Sequence, residues 1–182
     1  FLLARAMSIN GLDRSLALRI LRAPAVGQSP ARVRLALGAI TFLLSMWISN
    51  TAAVAILFPI AVGILNALES DFAQNGEVTV RAARSYGTGV MLMIAYAASV
   101  GGLATPIGSP PNLVGLSMLD TLAQRRVPFF HWMFVGLPVA LLMFGLLVLL
   151  LGWLHPAPQR RGSAIAVEAI AQPAPPWGRA QT

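Results

Sequence analysis

Residues 35–68 read LALGAITFLLSMWISNTAAVAILFPIAVGILNAL, and the reading of this stretch decides the fold. It carries no charge between Arg34 and Glu69. Two apolar arms, 31–48 and 52–68, flank the polar tripeptide Ser49-Asn50-Thr51. Ser and Asn ahead of a helix are good caps, because their side-chain oxygens accept from backbone N–H groups that have no partner inside the helix. The pattern predicts a helix, a polar tip and a second helix. Each arm holds about 15–18 residues, roughly 22–27 Å at the helical rise, which is slightly short of a bilayer crossing. A re-entrant helical hairpin over 31–68 fits that length better than two separate spans.

A second interruption lies downstream. Gly101 to Asn112 holds three prolines and three glycines in twelve residues, which an α-helix cannot accommodate. Apolar segments, 87–100 and 113–122, stand on both sides, so 87–123 is expected to be a broken transmembrane helix. Gln124 to Pro128 is a short polar turn. Phe129 to Trp153 reads as a clean last span, with Trp132 and Trp153 near its ends as membrane interfaces favour. A periplasmic turn and this last helix therefore make up 124–154.

The flanks complete the layout. In 1–30 the tail of an apolar helix ends at Asn10-Gly11. A basic amphipathic stretch, Leu12 to Leu21, then suits the membrane interface, and a loop with Pro24, Gly27 and Pro30 follows. Residues 69–86, with Glu69, Asp71, Glu77, Arg81 and Arg84, are expected to form a cytoplasmic loop and a surface helix. Residues 155–182, rich in Pro, Ala and Arg, read as a cytoplasmic linker.

Composition agrees with a lipid solvent. Hydrophobic residues are 57% of the chain and charged residues 10%, against about 25% charged in an average soluble domain. The net charge of +7 comes from 13 arginines and no lysine. None lies inside an apolar block, so nucleic acid is not the partner that this charge reports. Arginines beside membrane segments report orientation instead. With the hairpin returning to its own side, all of them except Arg125 and Arg126 fall on one side, which is then cytoplasmic. There is no cysteine, hence no disulfide or thiolate site. His131 and His155 read as interfacial polar residues. No nucleophile–base pair, metal motif or nucleotide loop is present, so an enzyme is not expected. The fold class expected is all-α: a polytopic membrane protein with a re-entrant hairpin and a broken helix.

The two breaks carry the chemistry. Backbone without helical hydrogen bonds is tolerated at membrane depth only where protein or a water-filled cavity surrounds it. Half-helix N-termini there aim N–H groups at anions, and freed carbonyls coordinate small cations. Ser45 and Ser49 stand four apart, on one face of the first arm. Their hydroxyls and the Asn50 amide oxygen would form an oxygen cluster suited to Na⁺. Asn50 and Thr51 open the second arm, and Ser109 opens the helix after Pro110, so these three could meet an anion. No carboxylate, lysine or arginine lies at either break, which disfavours proton relay. Helix packing by Ser45, an ordinary loop at the tip and a structural kink at Pro110-Pro111 are the plainer alternatives for each feature taken singly.

Leu44-Ser45-Met46-Trp47-Ile48-Ser49-Asn50-Thr51-Ala52, with Pro59-Ile60 beyond it, resembles the first Ser-Asn-Thr signature of the divalent anion/sodium symporter family. These are the dicarboxylate, citrate and sulfate carriers of the solute carrier 13 group. Ile94 to Gly102, followed by Ile107-Gly108-Ser109-Pro110-Pro111-Asn112, resembles that family's second segment. The resemblance covers roughly 1–154. It implies a homodimeric elevator transporter with two inverted repeats, each supplying a hairpin and a broken helix. It also implies that Ser45, Ser49, Asn50 and the Gly108 carbonyl bind one Na⁺, the coupling ion. Asn50, Thr51 and Ser109 would touch the carboxylate or sulfate-like substrate. The second repeat is not found in this sequence, and the chain starts at Phe1, so a fragment of a longer, multi-pass inner-membrane protein is expected.

Two rival functions follow from the same sequence. Arsenite and Na⁺/H⁺ carriers would need an ionisable residue near a break. A non-transport membrane scaffold would keep its function in an Asn50→Ala variant.

Overall fold

The computed structural model describes residues 29–75, 80–124 and 126–158, and the expectations for 1–28, for 76–79 and for the tail from 159 onward lie outside the described residues. The described residues form five helices: α1 (Pro30–Ser45), α2 (Asn50–Asn75), α3 (Val80–Leu103), α4 (Pro110–Ala123) and α5 (Phe129–Leu154). No strand occurs among them.

Local chemistry explains where the helices start and stop. α1 opens on Pro30 behind an extended Ser29, the position where a proline costs no helical hydrogen bond. It stops at Ser45, three residues earlier than the predicted arm. The amides of Trp47 and Ile48 both turn back to the Leu44 carbonyl at 3.0 Å, which tightens the chain into a turn. Ser49 then caps α2: its hydroxyl accepts from the Ala52 amide at 3.3 Å and its carbonyl from the Ala53 amide at 3.0 Å. Ser45 and Ser49 therefore do not share a face of one helix, as the spacing had suggested, because the helix ends between them.

The expected loop and surface helix of 69–86 also resolve differently. α2 runs on to Asn75, and α3 already begins at Val80. The polar residues after Leu68 contain no glycine or proline before Gly76, so nothing local stops the helix as it leaves its apolar stretch. α3 thus begins seven residues before the predicted Gly87 and spans 24 residues.

α3 is the hub. It packs against α1, α2 and α5. Between α1, α2 and α3 lies a core of Val33, Leu37, Ile40, Leu57, Ala61, Ile64, Tyr86, Val90 and Ile94. Between α1, α3 and α5 lies a second, with Phe42, Met46, Ala97, Val100, Ala104 and Ala140, where Phe42 and Phe144 rings stand 5.1 Å apart. α1 and α3 approach closely at Gly101, where an added Cβ would run into the Phe42 carbonyl. Small residues permit such backbone approach between membrane helices. The α3 stretch Arg81–Leu103 and the whole of α5 are long and apolar enough to cross a membrane. Along α5 only Ala140 and Leu151 are buried. Met133, Leu137, Phe144 and Leu147 pack against the second core, and exposed apolar residues such as Phe134, Leu142 and Leu149 suit contact with lipid or another protein face.

The end of the bundle remote from the breaks is tied by polar contacts. The Tyr86 hydroxyl donates to the Pro30 carbonyl at 2.6 Å, and Arg34 donates to the His155 carbonyl. The His155 ring nitrogen Nδ1 lies 3.1 Å from the Ser85 hydroxyl, and its Cβ packs over Gly89. His155 is therefore a junction between α1, α3 and the end of α5 rather than a simple interfacial polar residue.

Candidate functional site

The fold brings the two interruptions together. The turn 46–49 and the start of α2 lie against the link 104–109, which joins α3 to α4. Ser45, at the last turn of α1, is fully buried, and its Oγ lies 2.7 Å from both Asn50 Oδ1 and the Ala98 carbonyl oxygen. A hydroxyl has one proton to give. Both contacts are favourable only if the Asn50 amide turns its NH₂ toward Ser45, or if a cation draws the two side-chain oxygens to itself.

Around this pair the backbone supplies more oxygen. The amides of Met46, Trp47 and Ile48 bond to the Phe42 and Leu44 carbonyls, and none of them takes up the carbonyl of Ser45. A Cβ placed on Gly108 would come within 2.9 Å of that Ser45 carbonyl oxygen and 2.7 Å of the Gly102 carbonyl oxygen. A Cβ on Gly102 would strike Asn50 Oδ1. Glycine at 102 and 108 therefore lets the hairpin tip and the link come into direct contact around a small cradle. Neutral oxygens from Ser45, Asn50, Ala98 and Gly102 surround it, a donor set that fits a hard monovalent cation such as Na⁺. No cluster of three or more His, Cys, Asp or Glu side chains occurs among the described residues.

The remaining predicted residues sit on the outer side of the cradle. Ser49 and Thr51 are exposed, and the Ser49 hydroxyl already accepts the cap bond. Ser109 is half-buried and extended, the residue before α4, and its hydroxyl makes no cap bond. The two helix N-termini differ as anion sites. At α2 the Ala52 and Ala53 amides are used by Ser49, which leaves the amides of Asn50 and Thr51 for an anion. At α4, Pro110 and Pro111 carry no N–H, and the Asn112 amide bonds to the Ser109 carbonyl at 3.1 Å. The α4 end offers its dipole and the Ser109 hydroxyl but few free amides.

Two site residues escaped the sequence. Thr105 is fully buried; its hydroxyl donates to the Met46 carbonyl at 2.5 Å and accepts from the Gly108 amide at 3.0 Å. Asn112 is buried, and its NH₂ donates to the Gly102 carbonyl at 2.8 Å and the Thr105 carbonyl at 2.9 Å. A usable signal was an uncharged Asn at the third position of a helix that opens on two prolines, where freed backbone groups need partners.

A family model described as a citrate transporter matches residues 1–172. The chain belongs to the citrate transporter family. This agrees with the resemblance to divalent anion/sodium symporters that the two motifs carry. A member of this family is a membrane protein. Related proteins bear transporter names, as expected of a chain that is not an enzyme. An uncharacterized transporter of Haemophilus influenzae is 36% identical over 148 residues, 81% of this chain and 28% of the relative. A sodium-dependent dicarboxylate transporter of Staphylococcus saprophyticus is 32% identical over 155 residues, 85% of this chain and 28% of the relative. An uncharacterized transporter of Methanocaldococcus jannaschii is 44% identical over 103 residues, 57% of this chain and 19% of the relative. The chain thus spans little more than a quarter of the length of the first two relatives.

Proposed function

We propose that the full-length protein carries out secondary active transport of a di- or tricarboxylate, or a sulfate-like anion, coupled to Na⁺. One observation carries this reading: the hairpin tip and the helix break converge on a glycine-lined cradle of neutral oxygens beside two helix N-termini. Neutral oxygens suit a cation, and N-terminal amides and hydroxyls suit an anion. The relative named as a sodium-dependent dicarboxylate transporter supports the same pairing.

In this reading Ser45, Ser49, Asn50 and the Gly108 carbonyl hold Na⁺, and Asn50, Thr51 and Ser109 meet the substrate. Na⁺ at the cradle would offset the charge of the neighbouring anion and draw the Asn50 amide oxygen to itself. The amide NH₂ would then be free to donate to the substrate, which couples the two binding events. The protein works as a homodimer in a bacterial-type inner membrane, with the hairpin ends cytoplasmic and an elevator movement carrying the site across.

Uptake of labelled succinate, citrate and sulfate into proteoliposomes holding the full-length protein tests this. Uptake of at least one anion is expected, faster with an inward Na⁺ gradient than with K⁺. No uptake of any of the three would refute transport of this class, and equal rates in the two salts would remove the sodium coupling.

A further inference from the structure

The link 104–109 has lost its helical hydrogen bonds in a buried setting, so each polar backbone group there needs a partner. Two side chains partner the Gly108 amide and the Thr105 carbonyl and tie the link to its surroundings. The Thr105 hydroxyl spends its proton on the Met46 carbonyl and a lone pair on the Gly108 amide. Asn112 spends both amide protons, on the carbonyls of Gly102 and Thr105. Two acceptors facing the same end of the Asn112 amide fix its orientation, since the opposite one would set oxygen against oxygen. Thr105 thus links the hairpin turn to the residue whose carbonyl would ligate Na⁺. Asn112 clamps the last turn of α3 to the link through the carbonyl that borders the cradle at Gly108.

We infer that Thr105 and Asn112 are positioning residues that set the geometry of the cation site by holding the hairpin tip and the helix break in register. The inference rests on the transport reading above and adds a role for two residues that touch neither ion nor substrate. Removing the Thr105 hydroxyl frees the Gly108 peptide from its anchor and detaches the tip at Met46. The carbonyls of Ser45, Gly102 and Gly108 then lose their fixed spacing, and cation affinity falls while the anion-facing groups of α2 keep their places.

The test uses full-length protein in proteoliposomes, with labelled anion uptake titrated against Na⁺. For Thr105→Val, half-saturating Na⁺ is expected to rise by about ten- to a hundredfold, the usual effect of removing a group that orients metal ligands. The substrate KM at saturating Na⁺ should stay within about twofold. Thr105→Ser, which keeps the hydroxyl, should restore half-saturating Na⁺ to within about threefold of wild type. Asn112→Leu should shift it in the same direction as Thr105→Val. Backbone deuterium exchange over 104–112 should quicken in Thr105→Val but not in Thr105→Ser, a readout independent of transport. Unchanged half-saturating Na⁺ in a folded Thr105→Val protein would overturn the inference, as would equal defects in Thr105→Val and Thr105→Ser. So would a Thr105→Val protein that fails to fold while Thr105→Ser folds, because the hydroxyl would then serve folding alone. Absence of uptake by the wild type would instead refute the transport reading.

Discussion

The two breaks solve the same problem in opposite ways. At the hairpin tip the backbone amides are satisfied locally: Trp47 and Ile48 bond to Leu44, and Ser49 caps α2. Its polar side chains at Ser49 and Thr51 are exposed, as is Trp47, while Met46 and Ile48 are buried. At the 104–109 link two buried side chains take part: the Thr105 hydroxyl accepts from the Gly108 amide and donates across to Met46, and Asn112 donates to the Thr105 carbonyl. A locally closed turn keeps its own amides bonded wherever it sits. A link braced by buried side chains, one of them bonded across to the tip, is fixed in place. The difference suggests a division of labour, with the link as the rigid wall of the site and the tip as the part laid against it. Substitutions at the wall should therefore cost most.

Gly101→Ala should break the comparison most severely. Its Cβ would meet the Phe42 carbonyl and Cα on the facing helix, backbone that cannot rotate away as a side chain could. Overpacking of this kind costs about 1–3 kcal/mol, and a backbone obstacle puts this site at about the upper end. Thermal unfolding of the full-length protein in detergent should show a lower midpoint, and sodium-dependent uptake should fall with it. A midpoint equal to wild type would mean that α1 and α3 are not pressed together here.

Ser45→Ala comes next and probes the one tip-side residue that is fully buried. The Ala98 carbonyl keeps its place inside α3, and the loss of the hydroxyl should cost about 1 kcal/mol of stability. Its effect on half-saturating Na⁺ should be larger than that stability change implies, since a ligand oxygen is removed outright. A sodium titration unchanged from wild type would take Ser45 out of the proposed ion site.

Much of the fold was legible because breaks are written in local chemistry. Ser-Asn-Thr between apolar arms and the Pro/Gly-rich run after Gly101 mark helix breaks whatever surrounds them. Helix lengths were less legible. Polar residues such as Glu69 and Asp71 suggested a loop, yet they do not by themselves stop a helix, and α2 runs on to Asn75. The early stop at Ser45 was hidden for the converse reason, because Met46-Trp47-Ile48 is as apolar as the helix before it. His155 and Thr105 were beyond local reading altogether. The partners of His155 lie 70 and 121 residues away, and the Met46 carbonyl lies 59 residues from Thr105. Of the candidate site residues, Ser45, Asn50 and Gly108 meet at the cradle, while Ser49 and Thr51 sit on its exposed rim.

That rim position makes Ser49 the smallest and most discriminating test. As a cap its hydroxyl accepts one bond from Ala52. A hydroxyl oxygen has two lone pairs, so the second could still face a cation. Ser49→Ala removes both functions and should cost about 1 kcal/mol through the lost cap. Ser49→Gly removes the oxygen, yet glycine is itself a good cap residue, so stability should fall by only about a few tenths of a kcal/mol. If Ser49 contributes to the ion site, both variants should raise half-saturating Na⁺ alike, and by less than Ser45→Ala, because an exposed ligand is readily replaced by water. If sodium affinity instead follows stability, falling in Ser49→Ala and recovering in Ser49→Gly, then Ser49 is a cap only. The cation would then be held by the buried groups of the wall and by Ser45 and Asn50 alone.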